Sequence, residues 1–572
     1  LKFGCIVDCR NFVEKLDKNN LFLGIYFSII NFAFPKMFYK MKKSTIYVLA
    51  LILVAKLIPT NVLAQGNPVP YAYNIKAEDL KKHLTFLASD SLKGRNTGSA
   101  EQKVAANYIA DHFKKVGLAP VQGSYFQKVG LANRSWSNVS FSSRGKNYEY
   151  MNQFMATALA PVVANTKLPV VFAGFGVEQG AYTDFSQLKA KGSVVIAFEG
   201  EAKDESGNYV LSGTKDPSIF GKGDGWKEKL KRSQAAGAKG LILISAKSEK
   251  DFGNEMRQRQ IMMKRFGNER MVFTDQASVA NEAPVLMVSS VVAAEILGIS
   301  EADLLAYKSD LVRQKKSLTS KFKPAPVSLT IERTEKPVDT YNVVGFLEGT
   351  DKKEEVVVIT AHYDHIGVSA DGKINNGAND DGSGTVTVMQ VAEAFGRAAA
   401  AGNKPRRSIL FMTVTGEEKG LLGSEYYSNH PLFPLENTVC DLNIDMTGRR
   451  DEGHEGKPDY IYVIGSDKLS SQLHDVLLEQ NKQHMGLDLD FTFNDPNDPN
   501  RFYYRSDHYN FAKKKIPVAF FFNGVHEDYH QPTDDVEKID FDQVQKIGRL
   551  VFYMAWDITN RNERLKVDSN KP

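Results

Sequence analysis

The chain predicts an α/β fold with a mostly parallel central sheet flanked by helices, and an inserted, strand-rich α/β block. Two observations carry this. From about residue 340 onward, apolar strand-like runs alternate with helical runs, and between about 160 and 325 a separate set of short apolar runs surrounds one clear helix. Apolar runs of this kind fit strands buried on both faces, as in parallel sheets. A length of 572 residues allows two or three domains. A formal net charge of +4 gives no sign of nucleic-acid or membrane-surface binding.

The first residue is Leu, and residues 1–40 carry Cys5, Cys9 and an unpatterned aromatic run. They read as upstream translation, outside the fold. From Met41 (Met37 is an alternative start), "MKKSTIYVLALILVAKLIPTNVLAQG" has a basic start, an apolar stretch and a small-residue exit before Gln65. This predicts a signal peptide over 41–64, cleavage near Ala64, and a periplasmic or secreted product. Lys56 interrupts an apolar run too short for a membrane anchor. No cysteine flanks the cleavage site for lipid attachment, and only Cys440 remains beyond it. The mature chain is therefore expected to lack an internal disulfide, with Cys440 a small core residue.

Residues 65–159 should form the first part of the main domain. "KAEDLKKHLTFLASD" and "SAEQKVAANYIADHFKKVGL" predict two amphipathic helices. The second is capped by Ser99 and closed at Gly117. Short strand-like runs follow to about 155. In the inserted block, 160–325, "LPVVFAGFG", "GSVVIAFEG", "GLILISA" and "APVLMVSS" read as strands and "WKEKLKRSQAAGA" as a helix. It holds no His/Asp/Glu cluster at strand ends, so it reads as non-catalytic. In 326–572, "EEVVVITAHYD", "RSILFMTVTGEE", "VCDLNIDM", "YIYVIG" and "IPVAFFF" predict strands, with helices between them and near 540–560.

The strand ends carry the chemistry, because ligands of such sheets gather beyond the carboxyl ends of strands. His362 and Asp364 follow "VVVIT", and Asp380 and Asp381 lie in the next loop, "NNGANDDGSG". Glu417 and Glu418 follow "ILFMTVT", Asp445 follows "CDLNI", and Tyr529 and His530 follow "PVAFFF". Singly, each is an ordinary turn or surface charge. Together, two histidines and three carboxylates make a mixed N/O set suited to zinc and too poor in oxygen for calcium. His526-Glu527-Asp528-Tyr529-His530 also matches H-E-x-x-H, whose histidines bind zinc from one helix face. Asn523-Gly524 before it and Pro532 after it leave no room for that helix. Only His530 is expected to be a ligand, with His526 and Glu527 as loop or cleft wall.

The order "AHYDH…NNGANDDGSG…TGEEKGLLGS…NIDMTGR…RSDHYNF…DYHQPTDD" resembles the di-zinc exopeptidases. That family includes bacterial leucyl-type aminopeptidases, carboxypeptidase Q, glutamate carboxypeptidase II and the glutaminyl cyclases. The likeness is strong over about 335–565 and looser over 76–155, and the block at 160–325 is similar to an inserted protease-associated domain. The resemblance implies the zinc exopeptidase fold (phosphorylase/hydrolase-like) and two zinc ions, with Asp380 bridging them. His362 and Asp445 would complete one site, Glu418 and His530 the other. Glu417 matches the general base, and Tyr529 a stabiliser of the tetrahedral intermediate. Asp364 and Asp534 match the partners that orient the ligand histidines. Asp381 follows the bridge at a strained peptide link, and Arg505, Ser506 and Asp507 fall near the substrate cleft.

The expected activity is aminopeptidase action on peptides. A carboxypeptidase or dipeptidase of the same fold is the alternative, and a glutaminyl cyclase is disfavoured because that branch lacks the histidine supplied here by His362. A carboxypeptidase needs a cation for the terminal carboxylate, and Arg449, Arg450, Arg501 and Arg505 stand in the motif loops.

Overall fold

The computed structural model describes residues 66–570, except 159–161, 181, 187, 267–269, 275–282, 315–321, 455 and 457–458. The expected upstream segment and signal peptide lie outside the described residues. After a single helical turn at Val69–Ala72 come two longer helices, α1 (Ala77–Leu87) and α2 (Ala100–Lys115). Ser99 caps α2 as expected, its side chain accepting from the Gln102 N–H. Gly117 follows the helix at φ 85°, the left-handed turn that glycine adopts without strain. Both helices turn their apolar stripes inward, with Leu80, Leu84, Ile109 and Phe113 fully buried.

Strand β1 (Phe126–Ser143) is one long strand where the sequence suggested several short ones. Its middle, residues 133–140, is half-buried or exposed at every position, because there it runs as a ribbon with only Trp136 and Val139 packed on a core. A second sheet is built from β2 (Phe154–Ala158), β3 (Val170–Phe172), β4 (Val194–Phe198), β5 (Gly240–Ile244) and β7 (Val285–Val288), in the order β2-β7-β5-β4-β3. All but the β2–β7 pairing are parallel. The predicted helix is α3 (Gly225–Ala235), but α4 (Glu249–Phe266), α5 (Ser290–Leu297) and α6 (Glu301–Gln314) join it. Helix α4 hid because its sequence is so polar, with Phe252 and Met256 as its buried apolar anchors. Helix α5 hid because "SVVAAEIL" is apolar all round, which periodicity cannot tell from a strand. A further strand, β6 (Arg270–Phe273), leaves this block and pairs with β1.

The main sheet adds β8 (Val327–Leu347), β9 (Lys352–His362), β10 (Arg407–Val414), β11 (Thr438–Ile444), β12 (Tyr460–Ile464), β13 (Asp488–Asp490) and β14 (Val518–Phe522). Along the sheet the order is β6-β1-β8-β10-β9-β11-β14-β12-β13. Its centre, β10-β9-β11-β14, is parallel, and antiparallel pairs flank it on both sides. Helices α7 (Gly384–Ala400), α8 (Leu422–Asn429), α9 (Ser471–Gln480) and α10 (Phe541–Asn560) complete the layers. Alternate residues of β9 enter two cores, Val357, Ile359 and Ala361 on one face and Val356 and Val358 on the other. This explains the continuous apolar runs. Cys440 is a free, buried core residue of β11, as expected. Four neighbouring parallel strands therefore release their following loops at one edge. Among the described residues, no helix is long and apolar enough to cross a membrane.

Candidate metal centre

At that edge, the imidazole Nε2 of His362 lies 3.3 Å from Asp380 Oδ1 and 3.6 Å from Asp445 Oδ1. Opposite it, His530 Nε2 lies 3.0 Å from Asp380 Oδ2 and 3.0 Å from Glu418 Oε2. The two oxygens of Asp380 thus face different histidines. Ligands held at zinc's bond lengths and tetrahedral angles stand roughly 3.3 Å apart, which is the spacing found. Buried polar atoms are nearly always paired, yet His362 Nε2 and Asp445 Oδ1 have no hydrogen-bond partner. Burial disfavours a charged His530, but bonds to Asp380 and Glu418 prevail and raise its pKa to about 10. The carboxylates here call for positive charge, and the donor set fits zinc.

Glu417 and Glu418 lie in a bend and turn, not on the extended segment that would make neighbours point oppositely. Their carboxylates diverge nonetheless: Glu417 Oε2 approaches His362 at 3.9 Å, while Glu418 turns to His530. Burial first, then the carboxylates of Glu418, Asp445 and Asp507, push the Glu417 carboxyl well above its usual range. Tyr529 lines a pocket with Asp380, Glu417, Asp445 and Arg505. Its ring stacks on His530 with centroids 3.9 Å apart. Burial, followed by the charges of Asp380 and Glu418, raises its phenol far above the ordinary value, so it keeps its proton.

The supporting residues differ in detail from expectation. His362 Nδ1 is 3.1 Å from the main-chain oxygen of Asp364 and 3.8 Å from that residue's carboxylate. The carboxylate instead accepts from the Thr97 hydroxyl at 2.7 Å and the Glu417 N–H at 3.2 Å. Asp534 does not bond the His530 ring; it accepts the N–H groups of Asn379 and Asp380 and so sets the loop that carries the bridge. Asp381 follows a cis peptide bond, and its carboxylate accepts from the N–H groups of His362, Gly384 and Met446. Ser506 is buried beneath the site and donates to Asp445 Oδ2 at 2.7 Å, which corrects its placement in the cleft. Asp507 is also fully buried, its carboxyl raised to about 7, chiefly by burial. Of these three neighbours, only Arg505 lines the pocket.

The H-E-x-x-H match has no helix, since Glu527–His530 form a turn. His526 is buried and accepts from the Asn379 amide at 3.0 Å, making it a prop for the loop before Asp380. Two residues escaped the sequence reading. His365 is fully buried with Nδ1 2.7 Å from Glu418 Oε1, and the second histidine of "AHYDH" was the available signal. Arg95, also fully buried, donates to the main-chain oxygens of Tyr363, Asn376 and Gly377, clamping both loops that carry ligands. Nothing in local sequence distinguishes it from a surface arginine.

Fold and site together define a metallo-exopeptidase. The sequence profile of Peptidase family M28 matches residues 342–555, which include every ligand-type residue of the centre. Over this segment the chain is similar to Peptidase family M28. Over 526 residues it is 22% identical to Aminopeptidase YwaD of Bacillus subtilis, covering 89% of this chain and 92% of that protein. A probable leucine aminopeptidase of Arthroderma otae is 28% identical over 216 residues, 37% of this chain and 56% of the relative. Among solved structures, an aminopeptidase from Aneurinibacillus sp. strain AM-1 aligns over 88% of this chain and 97% of its own, at 17% identity and a TM-score of 0.48.

Proposed function

We propose that this chain is an exported aminopeptidase that binds two zinc ions and removes N-terminal residues from peptides. The observation that carries it is Asp380, each of whose oxygens meets a different histidine–carboxylate pair. His362 and Asp445 would hold one ion, Glu418 and His530 the other, with Asp380 shared. When bound, the ions would acidify water and polarise the scissile carbonyl. Glu417, whose proton affinity is raised, takes the proton of the attacking water as its oxygen bonds the carbonyl carbon. It passes that proton to the nitrogen as the C–N bond breaks, releasing an amine. Tyr529 keeps its proton and so can donate to the oxygen that becomes negative.

The direction of attack rests on charge. The pocket beside the centre combines Asp380, Glu417 and Asp445 with an apolar wall of Phe502, Phe520 and Phe522. Carboxylates suit a free α-amine. The arginines that could anchor a C-terminal carboxylate are largely engaged: Arg449 pairs with Asp528, and Arg450 with Asp459. Arg505 beside the pocket supports the carboxypeptidase alternative. A matched dipeptide pair separates them, one acetylated at its amine and one amidated at its carboxyl end, with zinc content measured alongside. Acetylation is expected to abolish cleavage and amidation to be tolerated. The opposite pattern would make the enzyme a carboxypeptidase with Arg505 as anchor.

A further inference from the structure

A second cluster of histidine and carboxylate lies outside the centre built on Asp380, and the reaction above uses none of it. His83 on α1, His112 on α2 and Glu393 on α7 each bring a ligand-type atom within 4.8 Å of the other two. The two rings meet edge to face with centroids 4.7 Å apart. All three residues line one surface cleft, together with Asp79, Lys82 and Lys115.

Hydrogen bonds assign the ring nitrogens. His112 Nε2 lies 3.0 Å from the main-chain oxygen of Met389, which can only accept. Nε2 therefore carries the proton and Nδ1 keeps its lone pair. His83 Nδ1 lies 2.8 Å from the Tyr108 hydroxyl, and in the tautomer that donates to that oxygen Nε2 holds the second lone pair. An anchored far nitrogen is the arrangement found behind metal-bound histidines. Burial lowers both imidazoles, His83 to about 4, so both are neutral near pH 7.

We propose that His83, His112 and Glu393 form an additional zinc site with a fourth position open to solvent. Two imidazoles and a carboxylate are a zinc donor set, and the nitrogens disfavour calcium or magnesium. The Gln390 amide donates to Glu393 Oε2 at 3.1 Å, and the charged competitor is Arg397, which pairs with Glu393 Oε1 at 2.6 Å. That pair joins consecutive turns of one helix and Arg397 is largely exposed, so releasing it costs little. A zinc here would tie α1 and α2 to α7, whose first residue, Gly384, donates its N–H to Asp381 at 2.8 Å. The site would thus brace the helix that starts at the bridging loop.

The test is a Zn2+ titration by calorimetry of the chelator-stripped full chain, with metal counted after dialysis. Glu393→Gln and His83→Asn should each bind one zinc fewer than the parent while keeping peptidase activity. Because the readout is a difference, it stands whatever number the catalytic centre holds. Arg397→Gln, a surface change that spares the fold, should bind the additional zinc several-fold more tightly by freeing Glu393. Equal zinc content in the parent, Glu393→Gln and His83→Asn overturns the proposal, as does no gain in affinity in Arg397→Gln.

Discussion

Glu417 and Glu418 are adjacent, yet one approaches His362 and the other bonds His530. Substitution should separate them. Glu417→Gln should keep metal and fold while losing about a hundredfold or more in turnover, the usual scale of general acid–base catalysis. Glu418→Ala should lose metal, as measured by zinc content; exchanged phenotypes would reverse the assignment. Asp380→Ala should lower occupancy at both pairs, and full occupancy in that variant removes Asp380 from the bridging role. In the false H-E-x-x-H motif, His530→Ala should lose metal and most activity. His526→Ala should retain metal, since that ring bonds the Asn379 amide. Loss of zinc from His526→Ala would show that this prop on the loop before Asp380 is needed to hold metal. The proposed ligands were legible because each stands at the end of an apolar run or in the loop that follows one. Their supports were not: whether Asp534 bonds a ring or two backbone N–H groups depends on loop conformation, which residue type does not encode.

At the scale of elements, the strand ends need loops held rigidly, and Arg95 supplies that from outside the matched family segment. Its guanidinium donates to the carbonyl of Leu87 at the end of α1, to the exit of β9 and to the loop before Asp380. Removing it would strand several buried carbonyl oxygens, each costing about 1–3 kcal/mol. Arg95→Met is therefore expected to lose at least ~3 kcal/mol in denaturant unfolding and to weaken zinc binding as well. A variant with parental stability and metal content would show that the loops hold without it. The same scale explains which elements could be read in advance. Strands β9, β10, β11 and β14 announce themselves because both faces are buried. Helix α4 and the exposed middle of β1 do not, because few of their residues are buried and their pattern is correspondingly faint.

Across the whole molecule, two sheets with separate cores share the long β1–β8 ribbon. Phe141 of β1 and Val327, Leu329 and Ile331 of β8 belong to the core of the second sheet, while Val343 and Leu347 belong to that of the main sheet. The second sheet begins at Phe154, and its core draws on strands either side of the 160–325 block, a sharing that composition alone could not reveal. The metal centre touches only the main sheet. A ligand that binds the folded state stabilises it by about 4 kcal/mol when present at a thousand times its dissociation constant. Chelation also leaves Asp380, Glu417, Glu418 and Asp445 crowded with only the neighbouring imidazoles to offset their charge. Removing metal should therefore loosen the edge where β9, β11 and β14 end and leave the sheet of β4 and β5 as it was. Hydrogen exchange with and without chelator reads this directly. Faster exchange is expected in the loops around Asp380, Glu418 and His530, with unchanged protection at Val194–Phe198 and Gly240–Ile244. A uniform rise across both sheets would mean that the ribbon couples the two bodies into one cooperative unit, and that the metal supports the whole chain rather than its active edge.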